Sequence, residues 1–229
     1  MLIFTQKPGT LKHFTNVYCL RTILRTGFRF SIPANWEDEN DAALIKLYEE
    51  QKRKKVFVFC LCKGGETLHH WSYYGNNSNI SDIEGRAKCC IKLNRTSFLQ
   101  ALNEEKYIIR DIQYKYISDL ENGKYTYTID DLITLKRKAY SVDDELRIID
   151  LEDNMNSTPP TFDIKPYIDK IVLDGKLSHE RYLSLSQSLM NEFPFLEQKI
   201  EHSTLYRSTN WIKAAVKISS QQSKHTKTK

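Results

Sequence analysis

Asp143, Glu145 and Arg147 alternate at the start of an apolar, β-rich run that continues through Leu146, Ile148, Ile149 and Leu151. Glu145 to Leu151 reads as a strand. Residues two apart on a strand project from one face, so the three charged side chains are expected side by side. Two neighbouring carboxylates can divide acid and base work between them, because each lowers the other's tendency to ionise. Arg147 can bind an anion or neutralise the acids. An exposed ion pair on a strand is the plainer reading of the same pattern.

Two metal constellations compete with that site. Cys60-x-Cys62, His69-His70 and Cys89-Cys90 fall within a short stretch, and adjacent strands could bring the cysteine pairs together. Their spacing is not the two-to-four-residue knuckle of structural zinc sites. On strands, Cys60 and Cys62 share a face whereas Cys89 and Cys90 do not. Buried cysteines acting as small hydrophobes fit better, and no metal is expected. Asp130 or Asp131 with Glu145-x-Arg147 would suit a Mg²⁺-dependent nuclease, although the usual lysine after the glutamate is missing. No P-loop, dinucleotide-binding glycine signature, nucleophile elbow or His-Glu-x-x-His occurs.

A chain of 229 residues, 40% hydrophobic and 11% aromatic, is expected to form one α+β domain over residues 1–218. Residues 219–229 lack apolar side chains and read as a disordered polar tail. Lys224, Lys227 and Lys229 supply three of the five net positive charges, which leaves +2 on the body. Overall charge is therefore weak evidence for nucleic-acid binding. The apolar runs are too short for a membrane span. The N-terminus lacks the basic and apolar segments of a secretory signal. Five cysteines, two of them adjacent, fit reduced thiols in a cytoplasm. Oligomeric state is not legible.

These side chains need elements to hold them. Leu11 to Thr15 reads as a strand, followed by a helix capped by Asn16 and stopped at Gly27. Asp38 to Lys54 has helical spacing, Val56 to Cys62 is a strand, and Glu66 to Tyr74 a short helix. Arg86 to Leu93 is a strand, Thr96 to Asn103 a helix, and Tyr107 to Ile117 one long strand. Thr128 to about Tyr140 reads as a helix, with Asp131 completing a weak capping box. Tyr167 to Leu173 is a strand and Ser178 caps a helix to about Glu192. Residues 196–218 are ambiguous. The expected architecture is a mixed, mainly antiparallel sheet surrounded by short helices.

Four motifs stand in a telling order: Leu11-Lys12-His13-Phe14-Thr15 with Gly27-Phe28; Pro33-x-Asn35-Trp36-x-Asp38-x-x-Asp41; Phe59-Cys60-Leu61-Cys62 with Trp71-Ser72-Tyr73-Tyr74; and Lys136 with Tyr140-x-x-Asp143-x-Glu145-x-Arg147. Together they resemble an uncharacterised bacterial domain family with His-Tyr-Thr, Asn-Asp-Pro-Phe-Asp/Glu, Cys-Phe-Ser, Trp-x-x-Tyr and Trp-x-x-Glu-x-Glu-x-Arg motifs. Cys62 replaces the usual serine, Glu39 the proline, Tyr140 the tryptophan and Asp143 the first glutamate. The opening strand and helix are also similar to DarT-type and tRNA-phosphotransferase-type ADP-ribosyltransferases.

That second resemblance implies an ADP-ribosyltransferase-like fold, NAD as the bound dinucleotide, a macromolecular acceptor, nucleic acid or protein, and a role as a toxin or phage-defence effector. It implies catalytic roles for Glu145, Asp143 and His13. Cofactor contacts would come from His13, Thr15, Trp71, Tyr74 and Arg147. Glu145 would hold ribose and stabilise the positive charge that builds as the nicotinamide bond breaks. Asp143 would take the acceptor's proton, and Tyr74 would stack on nicotinamide. His13 and Glu145 are then expected in one pocket. Core packing of Trp71 and Tyr74, a satisfied strand histidine, and a non-catalytic interaction module of a defence system stand as the alternatives.

Overall fold

The computed structural model describes residues 9–76, 80–102, 106–123, 126–207, 209 and 211–217. The polar tail expected at 219–229 lies outside them. Strand β1 (Thr10–Asn16) leads into helix α1 (Val17–Thr26), β2 (Phe28–Arg29), α2 (Glu39–Lys52) and β3 (Lys55–Cys62). Then come α3 (Leu68–Tyr73), β4 (Lys88–Asn94), α4 (Arg95–Ala101), β5 (Tyr107–Asp111), β6 (Gln113–Lys115) and α5 (Ile117–Glu121). The chain continues through β7 (Leu135–Arg137), β8 (Glu145–Glu152), β9 (Thr161–Phe162), β10 (Ile168–Leu173), α6 (His179–Glu192) and β11 (Ile200–His202).

The central sheet has seven strands in the order β11-β10-β4-β1-β3-β8-β5. β10 and β11 run parallel; the other neighbours are antiparallel. This is the mixed, mainly antiparallel α+β architecture that alternating patterns and short helices lead one to expect. No helix of the described residues is long and apolar enough to cross a membrane.

The two faces of the sheet are covered differently. One is the main core, where Leu11, Phe57, Phe59, Ile91, Leu93 and Ile148 pack against α1, α4 and α6. On the other, α2 sets Ile45 and Tyr48 against Val56, Val58 and Ile149, while Phe14, Cys62, Trp71, Cys90 and Val172 form a separate group. Along β3 this second face reads Val56, Val58, Cys60, Cys62. The first two join the α2 group and the last joins the Trp71 group. Cys60, opposite Arg147 of β8, packs at the edge of the α2 group.

Two expectations fail. The helix over Thr128 to Tyr140 is instead a single 3₁₀ turn (Ile129–Asp131), the strand β7, and a second 3₁₀ segment (Lys138–Asp143). The capping box at Thr128 and Asp131 does form. However, Ile133, Thr134 and Leu135 are buried consecutively, which a one-faced helix cannot achieve, and β7 pairs in parallel with β6 instead. Tertiary pairing overrides the local pattern. The single long strand Tyr107 to Ile117 is likewise broken at Ile112, whose N–H donates to the Glu145 carbonyl at 3.1 Å. β5 therefore stays in the main sheet while β6 leaves it.

Candidate functional site

β1 and β3 share a single registered pair, Lys12 opposite Cys62. Beyond it the strands part. The backbone of Ser31 takes β1's place at Val58, donating at 2.8 Å and accepting at 3.1 Å. A cleft of about 410 Å³ opens where the sheet splits. His13 spans the gap, its Nδ1 lying 3.3 Å from the Cys60 carbonyl. A carbonyl only accepts, so Nδ1 carries the proton and Nε2 is left as an acceptor. Burial lowers the His13 pKa to about 4 against the opposing bond to Cys60, so the ring is neutral near pH 7.

Glu145 and Arg147 reach the same cleft from β8. Arg147 is fully buried. Its Nε donates to Glu145 at 2.7 Å, Nη1 to the Ile133 carbonyl at 3.1 Å, and Nη2 to Asp41 of α2. Its guanidinium lies over the Trp36 ring, 5.1 Å from the centroid. Lys136 of β7 adds a second cation, 2.8 Å from Glu145, 3.3 Å from Asp143 and 3.9 Å from Asp41. Three carboxylates thus face two permanent cations. Burial alone would raise the Glu145 pKa, but Arg147 and Lys136 outweigh it and bring the value to about 2. For Asp41 burial wins over Arg147 and the pKa rises.

Hydrogen bonding separates the three acids. Both Glu145 oxygens are engaged, one by Arg147 and one by Lys136. Asp41 Oδ1 and Asp143 Oδ1 are buried and accept no hydrogen bond from the protein. His69 Nε2 comes within 3.2 Å of Asp143 Oδ1, but outside hydrogen-bonding geometry. Beside them the Tyr74 phenol is kept protonated, first by burial and then by the charges of Asp143 and Glu145. Tyr74 is held there by the turn at Gly75, which has φ 76°. A Cβ on Gly75 would sit 2.5 Å from the Thr15 carbonyl oxygen, so only glycine lets the turn lie this close to β1.

The residues singled out from sequence separate accordingly. His13, Tyr74, Asp143, Glu145 and Arg147 line the cleft. Thr15 and Trp71 lie outside its wall. Trp71 is buried edge-on against Phe14 at 5.4 Å, with Nε1 donating to Glu66 at 3.3 Å. Thr15 is paired opposite Cys89, on the main-core face. Asp143 does not share a strand face with Glu145: it closes the 3₁₀ segment, and Asp144 turns the chain with φ 42°. Lys136 nevertheless brings the two acids together. His13 and Glu145 also differ from the simple expectation. His13 pairs opposite Ile91 on the main-core side, whereas Lys12, Cys62 and Glu145 lie in line on the other side. The two meet at one cleft from opposite faces because the sheet splits between them.

The metal constellations are not assembled. Asp130 pairs with Lys52 at 2.8 Å and Asp131 caps Thr128, so neither joins Glu145. Cys89 and Cys90 pack on opposite faces. Cys62 does approach His70, Sγ to Nε2 3.6 Å. Burial raises this thiol to about 11 and lowers the His70 pKa, so the pair is neutral. Among the described residues no group of three or more His, Cys, Asp or Glu is placed to hold a metal ion. The centre of the three-carboxylate cluster is filled by the Lys136 ammonium.

Asp41 and Lys136 belong to the motifs but join the site in a way that their motifs do not imply, as partners of Arg147 and of the acids. Asp41 had a readable signal: it falls on the stripe Asp41, Ile45, Tyr48 that α2 buries, and an acid on a buried stripe calls for a partner. Lys136 stands in the fourth motif, but its pairing with the acids is hidden because its segment reads as helix. Comparison of the chain with models of known families gave no match, and comparison with curated proteins gave none.

Proposed function

We propose that the cleft binds NAD and that the protein is an ADP-ribosyltransferase-like enzyme acting on a macromolecule. The observation that carries this reading is convergence: His13, Tyr74, Asp143 and Glu145, from separate elements, line one cleft. Its wall has an aromatic part for a flat ring and an acid part for a sugar. Tyr73 and Tyr74 supply the first. His13 Nε2 and Asp143 Oδ1 supply acceptors suited to hydroxyl groups.

Transfer of ADP-ribose breaks the nicotinamide bond and builds positive charge on the sugar. The carboxylate best suited to meet that charge is one whose oxygen is not already held by a cation. Asp41 and Asp143 both meet that criterion, and Asp143, the one beside Tyr74, is taken as the stabilising group. Glu145, with both oxygens engaged, orients Lys136 and Arg147. This moves to Asp143 the charge-stabilising role that family resemblance implies for Glu145. A second reading, a binding module without turnover, draws on the same engagement of Glu145.

Release of nicotinamide from NAD, followed with the Asp143→Asn variant, tests the proposal. Loss of release with retained fold is the expected result. Equal release by Asp143→Asn and unmodified protein would contradict it, and NAD binding without release would favour the binding module.

A further inference from the structure

We infer that the mouth of the cleft receives a cationic side chain of a protein, an arginine or a lysine, and not a nucleic-acid strand. Five carboxylates line the cleft, Glu37, Asp38, Asp41, Asp143 and Glu145, against three cations, Lys12, Lys136 and Arg147. The cations are all engaged inside the wall: Lys12 donates to the Gly64 carbonyl at 2.6 Å, and the other two hold the acid cluster. Glu37 stands exposed at the outer edge, next to Asp38, whose Oδ1 caps the start of α2. Tyr73, 42% exposed, and Tyr140 line the same cleft.

A phosphate backbone approaching this mouth meets the Glu37 carboxylate first, and every cation lining the wall already has a partner. A guanidinium or ammonium meets the same carboxylate and the aromatic faces, which attract it. Deeper in, Asp41 Oδ1 is buried in a residue only 3% exposed and accepts no hydrogen bond from the protein. It needs a donor, and a cationic side chain brings several. The acid mouth runs against the net charge of +5, so non-specific attraction would favour the nucleic acid.

The inference deepens the proposed transferase reading by naming the acceptor, but docking is measured without NAD. A fluorescein-labelled hexa-arginine peptide and a labelled single-stranded oligonucleotide are titrated with the full chain and followed by anisotropy. The peptide is expected to bind, and Glu37→Lys to weaken it about tenfold by reversing a charge at the mouth. The exposed Glu197→Lys, away from the cleft, is expected to leave it unchanged. Peptide binding insensitive to Glu37→Lys, or no peptide binding beside oligonucleotide binding that Glu37→Lys strengthens, would overturn the inference. Peptide docking as expected, with no NAD binding by calorimetry, would keep it and remove the transferase reading.

Discussion

The Lys136 ammonium touches the Glu145 carboxylate at 2.8 Å inside the cleft wall, and that contact fastens β7 to β8. Arg147 holds the other Glu145 oxygen at 2.7 Å. Glu145 is therefore a structural anion that holds two cations in place. Its neutral isostere would leave two buried cations short of a partner.

Glu145→Gln is accordingly expected to destabilise the fold by about 3–5 kcal/mol, as removal of one member of a buried charge cluster does. Urea unfolding of the variant beside the unmodified protein measures this. A variant that melts like the unmodified protein would mean that the cluster is looser than described.

Stability should also carry two acid signatures. His13 has its pKa lowered from 6.5 to about 4, so between those values the unfolded chain binds a proton that the folded one refuses. Stability then falls as pH drops from 6.5 and the loss is complete below about 4. Glu145, depressed from 4.5 to about 2, contributes stability present above 4.5 and lost as pH falls through about 2. His70 shifts in the same direction as His13, so the difference between His13→Gln and the unmodified protein is the quantity to read. That difference should change between pH 6.5 and 4; a pH-independent difference would show that His13 titrates normally.

Trp71 and Tyr74 should part company on mutation. Trp71→Ala removes a buried ring from the Phe14 cluster and should cost about 3–5 kcal/mol, with NAD affinity unchanged at temperatures where the variant is folded. Tyr74→Ala should weaken NAD instead. Thermal melts and ligand titration of both variants make the comparison, and equal losses of affinity would place Trp71 in the site after all.

Local chemistry made much of the frame legible. Asn16 Oδ1 accepts from the Cys19 N–H at 2.9 Å, and the Gly27 N–H donates to Ile23 at 2.9 Å, as their types and spacing imply. The apolar β-rich run at β3 and the alternation along β8 announced strands. What was hidden is non-local. The parting of β1 from β3 depends on Ser31 capturing Val58, which no periodicity reveals. The 128–140 segment reads as helix, yet its middle, Leu135–Arg137, becomes a strand paired with β6 between two 3₁₀ segments, and that change delivers Lys136 to the acids. Asp143 and Glu145 form a pair, but a lysine joins them and not the shared strand face that their spacing implies.

Titration calorimetry of the purified protein with NAD tests the central claim most directly. The account predicts saturable binding at one site per chain, lost in Tyr74→Ala and retained in Glu197→Lys. Absence of binding, or binding indifferent to Tyr74→Ala, would contradict it.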